Sequence, residues 1–177
     1  MKKLLFLFSV VLITAAGCKD EPSSTTPQPT NNASAGDLEG RWNYVSIEAK
    51  DGAMFFDGTP TGTYTSTSKD MTGFLEFKSD GTYEQDVQYT QVLTTTVLGQ
   101  STTEEFPVPR VMVSGESYTY NSTNSTVEIV SPGQTINYTI TELTSTKLAM
   151  QYDVKTEQVT PQGTVVSQAT VMAEFSK

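Results

Sequence analysis

Few residue types in this chain could carry acid–base, nucleophilic or metal chemistry. Its 177 residues include no histidine and one cysteine, Cys18. That removes the commonest general base and the commonest nitrogen ligand for metals. A single thiol forms no internal disulfide and no cysteine cluster for zinc. Carboxylates are what is left. Asp51, Asp57, Asp70 and Asp80 stand in or beside turn-forming stretches, and Glu104 and Glu105 are adjacent. Calcium needs clustered oxygen ligands, and none of these spacings matches a calcium loop. Glycoside hydrolysis needs two positioned carboxylates, and nothing in the sequence singles out a pair. No catalytic residue, metal or cofactor is therefore expected, and the protein is expected not to be an enzyme. Asn32, Asn121, Asn124 and Asn137 fall in Asn-x-Ser/Thr triplets, which abundant Ser and Thr produce by chance.

The setting of Cys18 is more specific. Lys2 and Lys3 form a charged start, Leu4 to Ala16 form a short apolar run, and Ala15, Ala16 and Gly17 lead into the cysteine. A bilayer core needs about 20 apolar residues to be spanned, so residues 1–17 read as a cleaved signal peptide. The Thr-Ala-Ala-Gly-Cys ending resembles the lipobox of bacterial lipoproteins. The resemblance implies cleavage before Cys18, acylation of its thiol and new amino group, and attachment to a membrane through the acyl chains. The following Lys19-Asp20-Glu21 resembles the signal that sends lipoproteins of the Bacteroidetes group to the outer face of the outer membrane. That implies surface display, with the periplasmic face as the other open reading.

Residues 22–36, PSSTTPQPTNNASAG, hold no large apolar side chain. Such a segment cannot bury enough surface to offset ordering, so residues 18–36 are expected to be a lipidated, flexible tether. As a coil it spans roughly 25 Å. The formal net charge is −9 with a pI near 4.4, and losing Lys2 and Lys3 takes it to −11. An acidic chain lacks the cations that a phosphate backbone requires, so no nucleic-acid partner is expected.

From residue 37 to 177 the composition turns to Thr, Val and Tyr, which suit a pleated, half-buried surface. Apolar residues recur with period two, as in Leu148, Met150, Tyr152 and Val154 or Ile136, Tyr138 and Ile140. Turn signals separate the runs at Asp51-Gly52, Asp57-Gly58, Asp80-Gly81, Gly115, Asn121 to Asn124, Pro132-Gly133 and Pro161 to Gly163. They predict strands near 41–49, 72–78, 82–93, 103–113, 117–121, 126–131, 135–143, 146–158 and 164–176, with a long connection over 50–71. The expected fold is all-β: an antiparallel up-and-down barrel of about eight or nine strands, since closure protects strand edges.

Within that domain Gly40-Arg41-Trp42 opens the first strand, and Gly-x-Trp at this place resembles the start of lipocalins. FLEFKSDGTY and YTITELTSTKLAMQYDV are similar to phrases of lipocalin-like lipoproteins of the Bacteroidetes type. The resemblance implies a lipocalin-like barrel with Gly40 and Trp42 at its floor. A lipocalin places an arginine of the last strand beside that tryptophan; here only Lys177 could substitute. Such a barrel could hold a small hydrophobic ligand against Tyr83, Tyr89, Tyr138, Met150 and Tyr152, with Phe55 and Phe56 forming a lid or platform. The same interior, with Tyr44, Leu75, Phe77, Val87, Ile136 and Ile140, could instead be a filled core. The protein would then be an interaction lipoprotein contacting a protein or polysaccharide. Internal volume separates the two readings.

Overall fold

β-branched and aromatic residues alternating with polar ones pair into long antiparallel ladders. The computed structural model describes residues 35–131 and 133–177. A one-turn helix α1 (Ala35–Leu38) precedes eight strands: β1 (Gly40–Phe56), β2 (Thr59–Phe77), β3 (Thr82–Val97), β4 (Gln100–Asn121), β5 (Thr126–Ser131), β6 (Gln134–Leu143), β7 (Lys147–Thr160) and β8 (Gly163–Ser176). The expected signal peptide, Cys18, the Lys19-Asp20-Glu21 triplet and nearly all of the tether lie outside the described residues.

Each strand pairs with the next, and β8 returns to β1, so the hydrogen bonding is ring-like. The ring closes at one end only. β4 meets β5 over Tyr118–Asn121 alone, and β6 meets β7 over the four positions Thr139, Ile140, Glu142 and Leu143. β5 has six residues and β6 has ten, whereas β4 has 22. Turns at Asn121 to Asn124 and at Gly133 cut this hairpin short. Beyond it, residues 100–114 of β4 and 152–160 of β7 pair on one side only. The molecule is thus a closed base carrying an open, curled sheet of six strands in the order β7-β8-β1-β2-β3-β4. This corrects the expected lipocalin-like barrel: the sheet is eight-stranded and antiparallel, but it is not a wall closed along its length around a ligand.

Two further expectations change. The connection over 50–71 is not a loop: β1 runs to Phe56 and β2 starts at Thr59, with a tight turn at Asp57-Gly58 between them. The runs 103–113 and 117–121 are one strand, so the count is eight rather than nine. Gly115 is an extra residue in β4, since Tyr83 faces Glu116 while Glu84 faces Ser114, and its φ of +76° makes it a bulge rather than a turn. The Asp80-Gly81 hairpin forms as expected. Asp80 accepts bonds from the Thr82 N–H at 2.9 Å and its hydroxyl at 2.7 Å, which hold the carboxyl below the usual carboxylate range.

Trp42, Leu75, Phe77, Tyr83, Val127, Ile140, Leu148, Met150 and Phe175 are buried together in the base. Leu38, fully buried, seals it from below and accepts a 2.7 Å bond from the Trp42 indole N–H. Lys177 Nζ lies 4.2 Å from the Trp42 ring centroid and donates to the Glu39 carbonyl at 3.2 Å. The described chain therefore enters the domain at its closed end.

Candidate functional site

Period-two alternation carries the inward row of each strand from the base toward the open sheet. Trp42 is followed on that row by Tyr44, Tyr83 by Val87 and Tyr89, and Met150 by Tyr152. Tyr138 arrives from β6. The result is a layer of phenols above the packed base. The Tyr138 and Tyr152 rings meet edge to face at 4.9 Å, and Tyr44 packs on Phe175 at 4.6 Å. The Tyr83 hydroxyl bonds to Ser131 Oγ.

The electrostatics of the layer are mutual. Burial pushes the Tyr44 phenol well above its ordinary value, and ionised Tyr89, Tyr152 or Tyr83 would push it further. Tyr138 is raised in the same way by burial and then by Tyr152, Tyr44 and Tyr83. Tyr152 and Tyr89 are raised chiefly by burial. Each phenol is therefore neutral across the physiological range, able to donate and accept hydrogen bonds but not to act as an anion.

Of the seven residues expected to contact a ligand, four tyrosines are brought together. Met150, 2% exposed, and Tyr83, 1% exposed, belong to the packed base. Phe55 and Phe56 are not a lid. They are strand residues near the far end of β1, paired with Val166 and Val165 and remote in the ladder from the phenols. The ligand-enclosing cup is corrected accordingly: the base is filled by side chains and the opposite end is an open sheet. A cavity of about 360 Å³ opens elsewhere, at the β1 bulge, lined by Asp51, Asp153, Val154, Lys155, Gln168, Ala169 and Thr170. None of these belongs to the expected lining.

Tyr44 completes the phenol layer. Its place two residues after Trp42 put it among the inward-facing residues, yet not among the ligand contacts. Tyr64, hydrogen-bonded to Ser167 on the inner face of the open sheet, gave no signal because it lies in a Thr- and Ser-rich polar stretch. Among the described residues no group of three or more Asp, Glu, Cys or His side chains stands together as a metal site, and no helix is long and apolar enough to cross a membrane.

No known family, curated protein or solved structure matches this chain. The lipocalin resemblance thus has neither a matching family nor a barrel closed along its length behind it, and the Gly40 and Trp42 pair does not carry a family assignment.

Proposed function

We propose that this protein is a lipid-anchored envelope protein of the bacterial outer membrane, held by acyl chains on Cys18. Its β domain is a non-catalytic interaction module that presents the open sheet away from the bilayer. One observation carries the orientation: the chain enters at the closed base, where Leu38 is buried against Trp42. That observation supports a lipid anchor on the side of the base, opposite the open sheet. The acidic domain has little attraction for anionic lipid, so attachment rests on acyl chains, at roughly 0.8 kcal/mol per buried methylene. Lys19, Asp20 and Glu21 direct it to the outer face.

Cell fractionation tests the reading. Cys18→Ser should move the protein from the membrane to the aqueous fraction. Changing Lys19, Asp20 and Glu21 together to Ala should keep it on the membrane but lower its cleavage by protease added to whole cells. A Cys18→Ser protein that still partitions into detergent contradicts the anchor. Unchanged surface cleavage of the triple variant contradicts the export signal alone.

A further inference from the structure

The hairpin tips of the open sheet form an apolar strip that no described residue covers. Leu98 is 95% exposed and Val159 77%, and Phe56 and Val97 are exposed beside them. Elsewhere among the described residues, only Val45 and Met112 are large apolar side chains left exposed. The tips are tied into one platform. The Asp57 N–H donates to the Thr164 carbonyl at 2.9 Å, and the Thr164 N–H donates to the Asp57 carboxylate at 2.8 Å. These bonds lock the β1–β2 and β7–β8 turns together, with the Phe56 ring so close over Gly163 that an added Cβ would sit 2.6 Å from it. Gly62 brings in the β3–β4 turn: a Cβ there would lie 2.9 Å from the Met54 methyl and 3.0 Å from a Val97 methyl. The same end is nearly free of charge. Asp57 and Glu157 are the only charged residues in segments 53–68, 88–103 and 156–168, and the Asp57 carboxylate is engaged by Thr164. Leu98 also stands where folding alone favours another residue. Its φ is +51° and Gly99 follows at +76°, the two-residue hairpin geometry that prefers Asn-Gly or Asp-Gly. The other described non-glycine residues at positive φ are Asp51, Asp57, Asp70 and Ser125. A leucine there strains the backbone and covers no core.

From this geometry we infer that the strip is a self-association surface, whose partner is the same end of a second copy of this chain. The inference names a partner for the interaction module proposed above and rests on that reading for an end that faces away from lipid. Charge selects the occupant. Two copies of net charge −9 repel one another through their acidic flanks and bases, and approach without that penalty only where charge is absent. A basic partner would instead be drawn to the acidic flanks. A two-fold contact presents each exposed Leu98 to a strip that is equally apolar and equally uncharged. A few side chains at hairpin tips make a small contact, so the pairing is reversible and depends on concentration.

Sedimentation velocity of the full-length protein in phosphatidylcholine nanodiscs, loaded at no more than one copy per disc, tests this. Loaded discs should pair as their concentration rises. Leu98→Asn should weaken pairing about tenfold or more, because a leucine side chain is no longer buried in the contact. The same change should leave the urea unfolding midpoint unchanged or raised, since asparagine suits a positive φ. Met112→Thr, a change at an exposed apolar residue away from the tips, should pair as the wild type does. Empty discs carrying a fluorescent lipid are added to each run. A wild type that pairs with empty discs assigns the strip to a bilayer and overturns the proposal. Unpaired discs at every concentration, undiminished pairing by Leu98→Asn, or equal weakening by Met112→Thr overturn it as well. A failed anchor is read separately, as protein sedimenting without lipid, and self-association is then read from the mass of that protein.

Discussion

At the scale of single residues, the tyrosine layer makes the most distinctive demand on experiment. All eight tyrosines have their phenols raised above the ordinary value, mainly by burial. A phenol whose folded value is raised keeps its proton while the unfolded chain has already lost it. The folded state then binds more protons than the unfolded state, so stability is intact below pH about 10 and falls as pH rises above it. Ultraviolet titration of phenolate should therefore show most tyrosines ionising late and together with loss of near-ultraviolet circular dichroism. Smooth, reversible ionisation of every tyrosine near pH 10, with the fold intact, would show that the layer is open to water.

At the scale of elements, backbone bulges decide where the sheet bends. Gly73 is the least replaceable: its φ is +118°, and an added Cβ would sit 1.9 Å from the Asp86 carbonyl oxygen of the neighbouring strand. Gly115 has a φ of +76° with nothing within 4 Å. Gly73→Ala should cost at least about 3 kcal/mol from combined clash and strain, and Gly115→Ala about 1–2 kcal/mol from strain alone. Urea unfolding distinguishes them; equal losses would show that the β2–β3 contact yields to a methyl group.

Such bulges also explain what the sequence concealed. The runs around Trp42, Tyr83 and Met150 were legible, because one face is buried and period two is unbroken there. The segment 50–71 was not, because Asp51 and Asp70, both at positive φ, shift the phase within it. Its Thr-rich remainder also faces solvent on one side. Gly115 read as a turn for the same reason: positive φ marks a bulge and a turn alike. The phenol layer was visible as inward-facing tyrosines, whereas the partial closure depended on how few residues β5 and β6 share with their outer neighbours. No local pattern encodes that.

At the scale of the whole molecule, a half-open ring leaves two unpaired strand edges, an invitation to aggregation unless they are blunted. Pro107 and Pro109 remove two N–H donors from β4 where its far side is free, and Asp153, Lys155 and Glu157 place charges along the free part of β7. These edges are thus held apart from other chains while the broad faces stay available. The closed base and the open sheet lie at opposite ends of strands of up to 22 residues, a separation of about 50 Å along the axis. On the proposed attachment at the base, each end has its own distance from the lipid.

Energy transfer to the membrane tests that assignment directly. A fluorophore on Ser122→Cys labels the turn at the base, and one on Leu98→Cys, at a residue 95% exposed, labels a tip of the open sheet. On the proposed acylation of Cys18, the introduced thiol is the reactive one. In liposomes carrying a headgroup acceptor, transfer from position 122 should be strong and transfer from position 98 weak. Transfer from position 98 equal to or stronger than that from position 122 would contradict the presentation of the open sheet away from the bilayer.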